Sequence, residues 1–255
     1  MIQNLEKNGV EIIEIPDSII SAIENFIFYK FNVGKYADLC NNILNLSEED
    51  FSLLSKKTNR FFDRNVCNLI ENWISNSQLL KKAFKSKNLR ISNISQYELN
   101  IRDDLKPKHL DIFFRIVRKG KPDVGPPHFD KLIWDQSKGT NAEVSLEKND
   151  IRWKLWIPLW GTNYDNALQF VNGSHIENVP WFLDESRITQ TTKATDSKGS
   201  PAISKYWLRK NELNFKPAAW DIGKGVIFHD QLVHRGPINM SSNLRMSAEF
   251  TIIAN

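Results

Sequence analysis

Two stretches of this 255-residue chain pair a histidine with an acid in a way that can hold a metal. His128-Phe129-Asp130 puts an imidazole and a carboxylate at alternate positions. In an extended segment alternate side chains point the same way, so both can reach one ion. His109-Leu110-Asp111 has the same pattern. It follows Lys106-Pro107-Lys108 and reads as an exposed strand entry, whereas His128 follows Gly125-Pro126-Pro127 and precedes Leu132-Ile133-Trp134. His128 and Asp130 are therefore the favoured pair. A third ligand must come from elsewhere. His229 closes the apolar run Val226-Ile227-Phe228 and reads as a packed core residue; His234, just before Arg235-Gly236-Pro237, stands at a strand end where it can face a cavity. Two imidazoles and one carboxylate on one side of iron(II) leave open positions on the other. Such a set is the opposite of a closed, cysteine-rich structural site.

The last strand carries a matching feature. Arg245, Ser247, Glu249 and Thr251 alternate with Met246, Ala248, Phe250 and Ile252. A polar face opposite a clean apolar face suits a strand that lines a polar pocket. A 2-oxo acid can chelate an open metal site through its carboxylate and keto oxygens. The far carboxylate of 2-oxoglutarate then needs a fixed planar cation, and arginine supplies a bidentate fork that lysine cannot. Arg245 is the candidate, with Ser247 on the same side able to add a hydrogen bond.

These residues need a scaffold. A strand is expected at Val10–Ile15, after the Asn8-Gly9 turn. A helix capped by Asp17 or Ser18 should follow, burying Ile19, Ile20, Ile23, Phe26 and Ile27. Ser47 and Asp50 form a capping-box pattern before Phe51. Phe61, Phe62, Val66, Leu69, Ile70, Trp73 and Ile74 read as one helix face. From about residue 89 the period changes to alternation, with strands expected near 95–101, 111–118, 151–160, 167–171, 226–229 and 244–253. Two polar excursions, 135–150 and Glu185–Lys216, interrupt it and have the length of binding loops. The reading is a single domain over 1–255, with 1–88 mainly helical support and 89–255 a strand-rich sandwich or barrel.

Composition excludes several classes. The charged fraction is 25% and the formal charge +4, with no basic run interleaved with aromatics, so no nucleic-acid partner is expected. No apolar run has the length of a membrane span. The polar start Met1-Ile2-Gln3-Asn4 has no apolar leader, and Cys40 and Cys67 form no metal or disulfide pattern, so a cytoplasmic protein with reduced thiols is expected. The partner expected is a small-molecule substrate, with Trp134 and Trp156 as candidate pocket walls.

With these blocks in order, the chain resembles the phytanoyl-CoA dioxygenase family of iron(II)/2-oxoglutarate-dependent oxygenases. The resemblance runs through Asn8-Gly9-Val10-Glu11-Ile12-Ile13, His128-x-Asp130, Trp156-Ile157-Pro158-Leu159-Trp160, Ala167 to His175, Asp221 to Asn239, and Arg245. It implies a double-stranded β-helix of jelly-roll or cupin-like form with a flanking helical layer. It also implies iron(II), 2-oxoglutarate and O2 as cofactor and cosubstrates, with His128, Asp130 and His234 as ligands and Arg245 as the 2-oxoglutarate anchor. The implied reaction is hydroxylation of an unactivated carbon, with succinate and CO2 as co-products. Asp130 stands where related halogenases carry a small residue, which favours hydroxylation. Asn172 replaces the family's usual proline, and Gly236 stands where relatives often carry a hydroxyl. The second cosubstrate contact is open between Arg115, Arg118 and Gln96. His175 is read as part of a turn. Two other readings stay alive: a non-catalytic barrel that binds a small ligand, and a metal-dependent hydrolase or isomerase using the same three ligands.

Overall fold

The computed structural model describes residues 2–58, 64–93, 110, 112–124, 127–130, 151–176, 181–183, 206–208 and 213–255. The expected strand at 95–101, His109, Gln96, Trp134, and the excursion at 135–150 fall outside these residues, as does most of Glu185–Lys216.

The first part of the chain is helical: α1 (Ile2–Asn8), α2 (Asp17–Phe31), α3 (Tyr36–Leu44), α4 (Glu48–Thr58), α5 (Arg64–Asn76) and α6 (Gln78–Phe84). Among the described residues of this part, β1 (Val10–Glu14) is the only strand between these helices. Helix α2 begins one turn position earlier than the Asp17 or Ser18 cap expected from sequence. Pro16 is the N-cap, and its carbonyl accepts from the Ile19 and Ile20 amides. Asp17 then sits in the first turn, where its charge favours the helix dipole. The Ser47 box forms as expected, the Asp50 amide donating to Ser47 Oγ at 3.1 Å. In α5, Ile70 and Ile74 are buried, but Leu69 is exposed. It lies too far round the helix to share their face.

The rest is strand. The major sheet runs β1, β9 (Lys224–His229), β4 (Ile151–Trp160), β11 (Arg245–Ala254), β2 (Leu89–Ile91), with β3 (Ile112–Val117) also paired to β11. All its pairings are antiparallel. A smaller antiparallel sheet joins β10 (His234–Arg235), β5 (Gln169–Phe170) and β8 (Lys216–Pro217). A separate pair, β6 (Trp181–Leu183) and β7 (Tyr206–Leu208), stands apart from both. The fold is therefore mixed α/β with antiparallel sheets. The strand expected at 167–171 shrinks to two residues, because Asn163 and Asn166 tie the preceding chain into a turn.

Two apolar clusters hold this together. The larger joins the helices to one face of the major sheet, through Leu155, Ile157, Ile227, Met246, Ala248, Phe250 and Ile252. The smaller lies between the two sheets, where Trp156, Val226 and Phe228 meet Leu168, Phe170 and Leu232. A register shift between Met246 and Ser247 lets Trp160 stay on the helical side, stacked against Phe28 and Tyr36. The face of β11 bearing Arg245, Ser247, Glu249 and Thr251 is thus turned inward, towards the small sheet.

Candidate metal centre

His128 and His234 are far apart in sequence, yet they are direct cross-strand partners. The His128 amide donates to the His234 carbonyl at 3.0 Å, and the His234 amide donates back to His128 at 2.9 Å. Directly paired residues project on the same face of a sheet, so the two imidazoles meet with ring centroids 4.3 Å apart. Asp130 lies two residues beyond His128, past the end of the bridge in a helical conformation, and its carboxylate turns back to the two rings. Its Oδ1 is 3.8 Å from His128 Nε2, and its Oδ2 is 3.9 Å from His234 Nε2. One ligand atom from each of the three lies within 4.8 Å of the others, the only such cluster among the described residues. His234 is 3% exposed and Asp130 4%, in contact range of Phe228 and Phe170 behind the imidazole.

Two details fit a metal. His234 Nδ1 lies 2.9 Å from the Leu232 carbonyl. A carbonyl only accepts, so the ring proton sits on Nδ1 and the Nε2 lone pair faces Asp130. Asp130 Oδ2 is buried with no hydrogen-bond partner. A buried carboxylate oxygen without a donor is costly, and the Lys154 ammonium at 3.7 Å is too far to donate a hydrogen bond to it. His229 is not part of the cluster. Its Nδ1 accepts from the Gln231 amide at 3.1 Å, and its ring packs edge-on to Trp153. His175 bonds the Glu6 carbonyl through Nε2 at 3.1 Å, as a turn residue would.

Arg245 opens β11 and is 1% exposed. One Nη donates to the Asn166 carbonyl, while Nε has no partner. Burial, then the like charge of Arg115, pushes its guanidinium down to about 9, against the pull of Asp123. Asp123 is itself committed to Arg118, at 3.0 Å to both Nε and Nη2. Arg118 also reaches Glu48 and stacks on Phe51, so it joins the helical layer to the sheet and is taken out of the site. Arg115 stands opposite Ser247 in the register, on the inward face. Ser247 is 1% exposed, and Trp156 is buried between the sheets, opposite Glu249.

Sequence reasoning missed the groups that brace these residues. Asn166 Nδ2 donates to Asn239 Oδ1 and to the Gly161 carbonyl, both at 2.9 Å, fixing the carbonyl that Arg245 uses. Gly161 has φ +62°, and a Cβ there would fall 1.8 Å from the Leu244 carbonyl, so the turn ending β4 can abut the start of β11 only with glycine. Lys154 was also missed, although a lysine inside the apolar strand 151–160 was a visible anomaly; Glu249 was placed on the polar face but given no role. At Gly236 a Cβ would lie 3.3 Å from Arg245 Nη2, a tight but accommodable contact.

Three side chains that could hold a metal ion, and a buried arginine, thus face the interior between antiparallel sheets. No protein-family model matches the chain, and no characterised protein matches its sequence. Solved structures do match its fold. The non-heme alpha ketoglutarate dependent epimerase SnoN from nogalamycin biosynthesis aligns with a TM-score of 0.53 and 11% identity, over 99% of this chain and 79% of that one. The non-heme alpha ketoglutarate dependent carbocyclase SnoK from nogalamycin biosynthesis aligns with a TM-score of 0.51 and 12% identity, over 99% and 82%. At such identities the likeness speaks to the fold alone. Among the described residues no helix is long and apolar enough to cross a membrane.

Proposed function

We propose that this chain is an iron(II)- and 2-oxoglutarate-dependent dioxygenase with a double-stranded β-helix core, similar to the phytanoyl-CoA dioxygenase family, that hydroxylates an unactivated carbon of a small molecule. The observation that carries this reading is a pair of unmet buried demands within one interior. Asp130 Oδ2 accepts no hydrogen bond, has the Lys154 ammonium only at 3.7 Å and lies beside two imidazoles, a set that suits a directly bound cation; the Arg245 guanidinium with its unbonded Nε asks for an anion. Iron(II) chelated by a dicarboxylate answers both.

When bound, iron(II) with 2-oxoglutarate and O2 supplies the oxidation and returns succinate and CO2. The chain supplies the rest. His128, Asp130 and His234 would hold the metal, and three protein ligands would leave it positions for a cosubstrate. His234 stays in the metal-binding tautomer because Leu232 holds its other nitrogen. Arg245 receives the distal carboxylate through its fork, with the Ser247 hydroxyl beside it. Arg115, opposite Ser247, is the second cation for the dianion. Trp156 and Phe228 keep the sheet interior dry, which strengthens each charged contact. Trp134 and Glu185–Lys216 remain the sequence-based candidates for shaping the substrate pocket.

Anaerobic titration with iron(II) and 2-oxoglutarate tests this through the visible charge-transfer band of the chelate. The band is expected in the wild type and in His109→Ala, and is expected to vanish or weaken strongly in His128→Ala and Arg245→Ala. No band in a wild type that binds metal normally would shift the reading to a ligand-binding barrel or a metal-dependent hydrolase. Product mass then reads the outcome. Gain of one oxygen atom marks hydroxylation, whereas the two structural neighbours are named as an epimerase and a carbocyclase.

A further inference from the structure

Lys154 sits in the middle of β4, in a strand otherwise built for burial, and is 8% exposed. Its ammonium has three donors and no acceptor, and three acceptors surround it. Glu249 Oε1 is at 2.7 Å and Thr251 Oγ1 at 3.1 Å, while Asp130 Oδ2 is at 3.7 Å, an ion-pair distance. The first two belong to β11. Thr251 is the direct cross-strand partner of Lys154, and Glu249 lies one pleat away on the same face. Both strands are central in the major sheet, so the ammonium is fixed by the most rigid part of the fold. Asp130, by contrast, lies beyond the bridge that holds His128 and belongs to neither sheet. Burial works to raise the Glu249 carboxyl, but Lys154 and then Arg115 outweigh it and hold Glu249 well below the usual carboxylate range. The ammonium–carboxylate pair is thus a standing charged post inside the sheet.

We propose that Lys154, clamped by Glu249 and Thr251, is a positioning residue for the metal ligand Asp130. Its charge anchors the Asp130 carboxylate to the sheet and sets its angle towards the two imidazoles. This rests on the metal-site reading above and adds to it the means by which the sheet holds a ligand borne outside it. Outer partners of metal ligands typically change affinity by about 10–100-fold when removed.

The test uses cobalt(II), whose visible spectrum reports coordination geometry, with the full-length protein. In Lys154→Met, cobalt affinity is expected to fall by about 10–100-fold with an altered ligand-field spectrum, in a protein whose circular dichroism matches wild type. Lys154→Met strands Glu249, so Lys154→Met/Glu249→Gln is the second variant; it removes both charges together and is expected to show the same loss. If the single variant fails to fold, the double variant decides. A folded variant that binds cobalt with wild-type affinity and spectrum overturns the positioning role while leaving the metal site standing. A wild type that binds no cobalt overturns both.

Discussion

Strand β11 serves two masters. Met246, Ala248, Phe250 and Ile252 face the helices and are fully buried among aliphatic and aromatic side chains. Arg245, Ser247 and Thr251, one residue out of phase, are as buried, and Glu249 is partly buried, but all four face the small sheet. The same depth of burial therefore means opposite things. On the helical face it is apolar area removed from water, the main source of folding stability. On the inner face it holds an arginine, and a glutamate paired with Lys154 of β4, away from water at a cost, which ligands and a few internal pairs must offset. Stability and binding should separate along this strand by the parity of the residue number.

The largest effect should come from the helical face. Phe250→Ala removes a fully buried ring that packs within the main cluster, and is expected to cost about 3–5 kcal/mol of stability. Per folded molecule its metal affinity should match wild type. Asp130→Ala is the mirror experiment. Its effect on the metal-free protein should be smaller than that of Phe250→Ala, since it removes a buried carboxylate that accepts no hydrogen bond at Oδ2 and pairs with Lys154 only at 3.7 Å. It should also abolish the metal-induced rise in melting temperature, which for a ligand at about 100 Kd corresponds to about 2.7 kcal/mol. Thermal melts of both variants with and without iron(II) or cobalt(II) read the comparison. Loss of metal stabilisation in Phe250→Ala would break the separation.

That two-faced strand was legible in the sequence, because a period of two is imposed by the pleat and needs no tertiary knowledge. His128, Asp130 and His234 were legible for the same local reason: an alternating pair, and a histidine at a strand exit. Their convergence was not, because it depends on one cross-strand bridge between distant segments. The bracing shell was less visible still. Asn166 and Asn239 look like ordinary turn residues until they are found to fix the carbonyl that Arg245 uses. Arg118 and Arg115 were indistinguishable as candidate anchors, since three residues apart on a strand they differ only in face. It took Asp123, Glu48 and Phe51 closing on Arg118 to tell them apart.

Arg245 should give the next effect. Arg245→Met is expected to weaken 2-oxoglutarate binding by about 2–5 kcal/mol, as for loss of one partner of a buried charge pair. Its stability effect should have the opposite sign. The folded state pushes the Arg245 guanidinium from the ordinary arginine value down to about 9, by burial first and Arg115 second. A base whose folded value is lowered is less protonated in the folded than in the unfolded chain between the two values. Stability then rises with pH across that window, and below it the full penalty of the buried charge is present. Metal-free Arg245→Met should therefore be more stable than wild type near neutral pH, and the gap should narrow as pH rises above about 9. Denaturant melts of both proteins from neutral to alkaline pH measure it, and a gap that widens with pH would contradict the assignment of Arg245 as an uncompensated cation.

The finest test of the two-faced strand leaves β11 untouched. Gly236 lies just past β10, and a Cβ there would fall 3.1 Å from Val124 Cγ1 and 3.3 Å from Arg245 Nη2. Both distances are tight without being forbidden, so Gly236→Ala should fold with the guanidinium displaced by a few tenths of an ångström. Overpacking of this kind costs about 1 kcal/mol at its mild end, or roughly fivefold in affinity. The loss should fall on 2-oxoglutarate alone, because the metal ligands are held by a separate bridge between His128 and His234. Isothermal titration with cobalt(II), and then with 2-oxoglutarate on the cobalt-loaded protein, separates the two. An equal loss in both would mean that the anion anchor and the metal ligands move as one body, and that the inner face is less divisible than its register suggests.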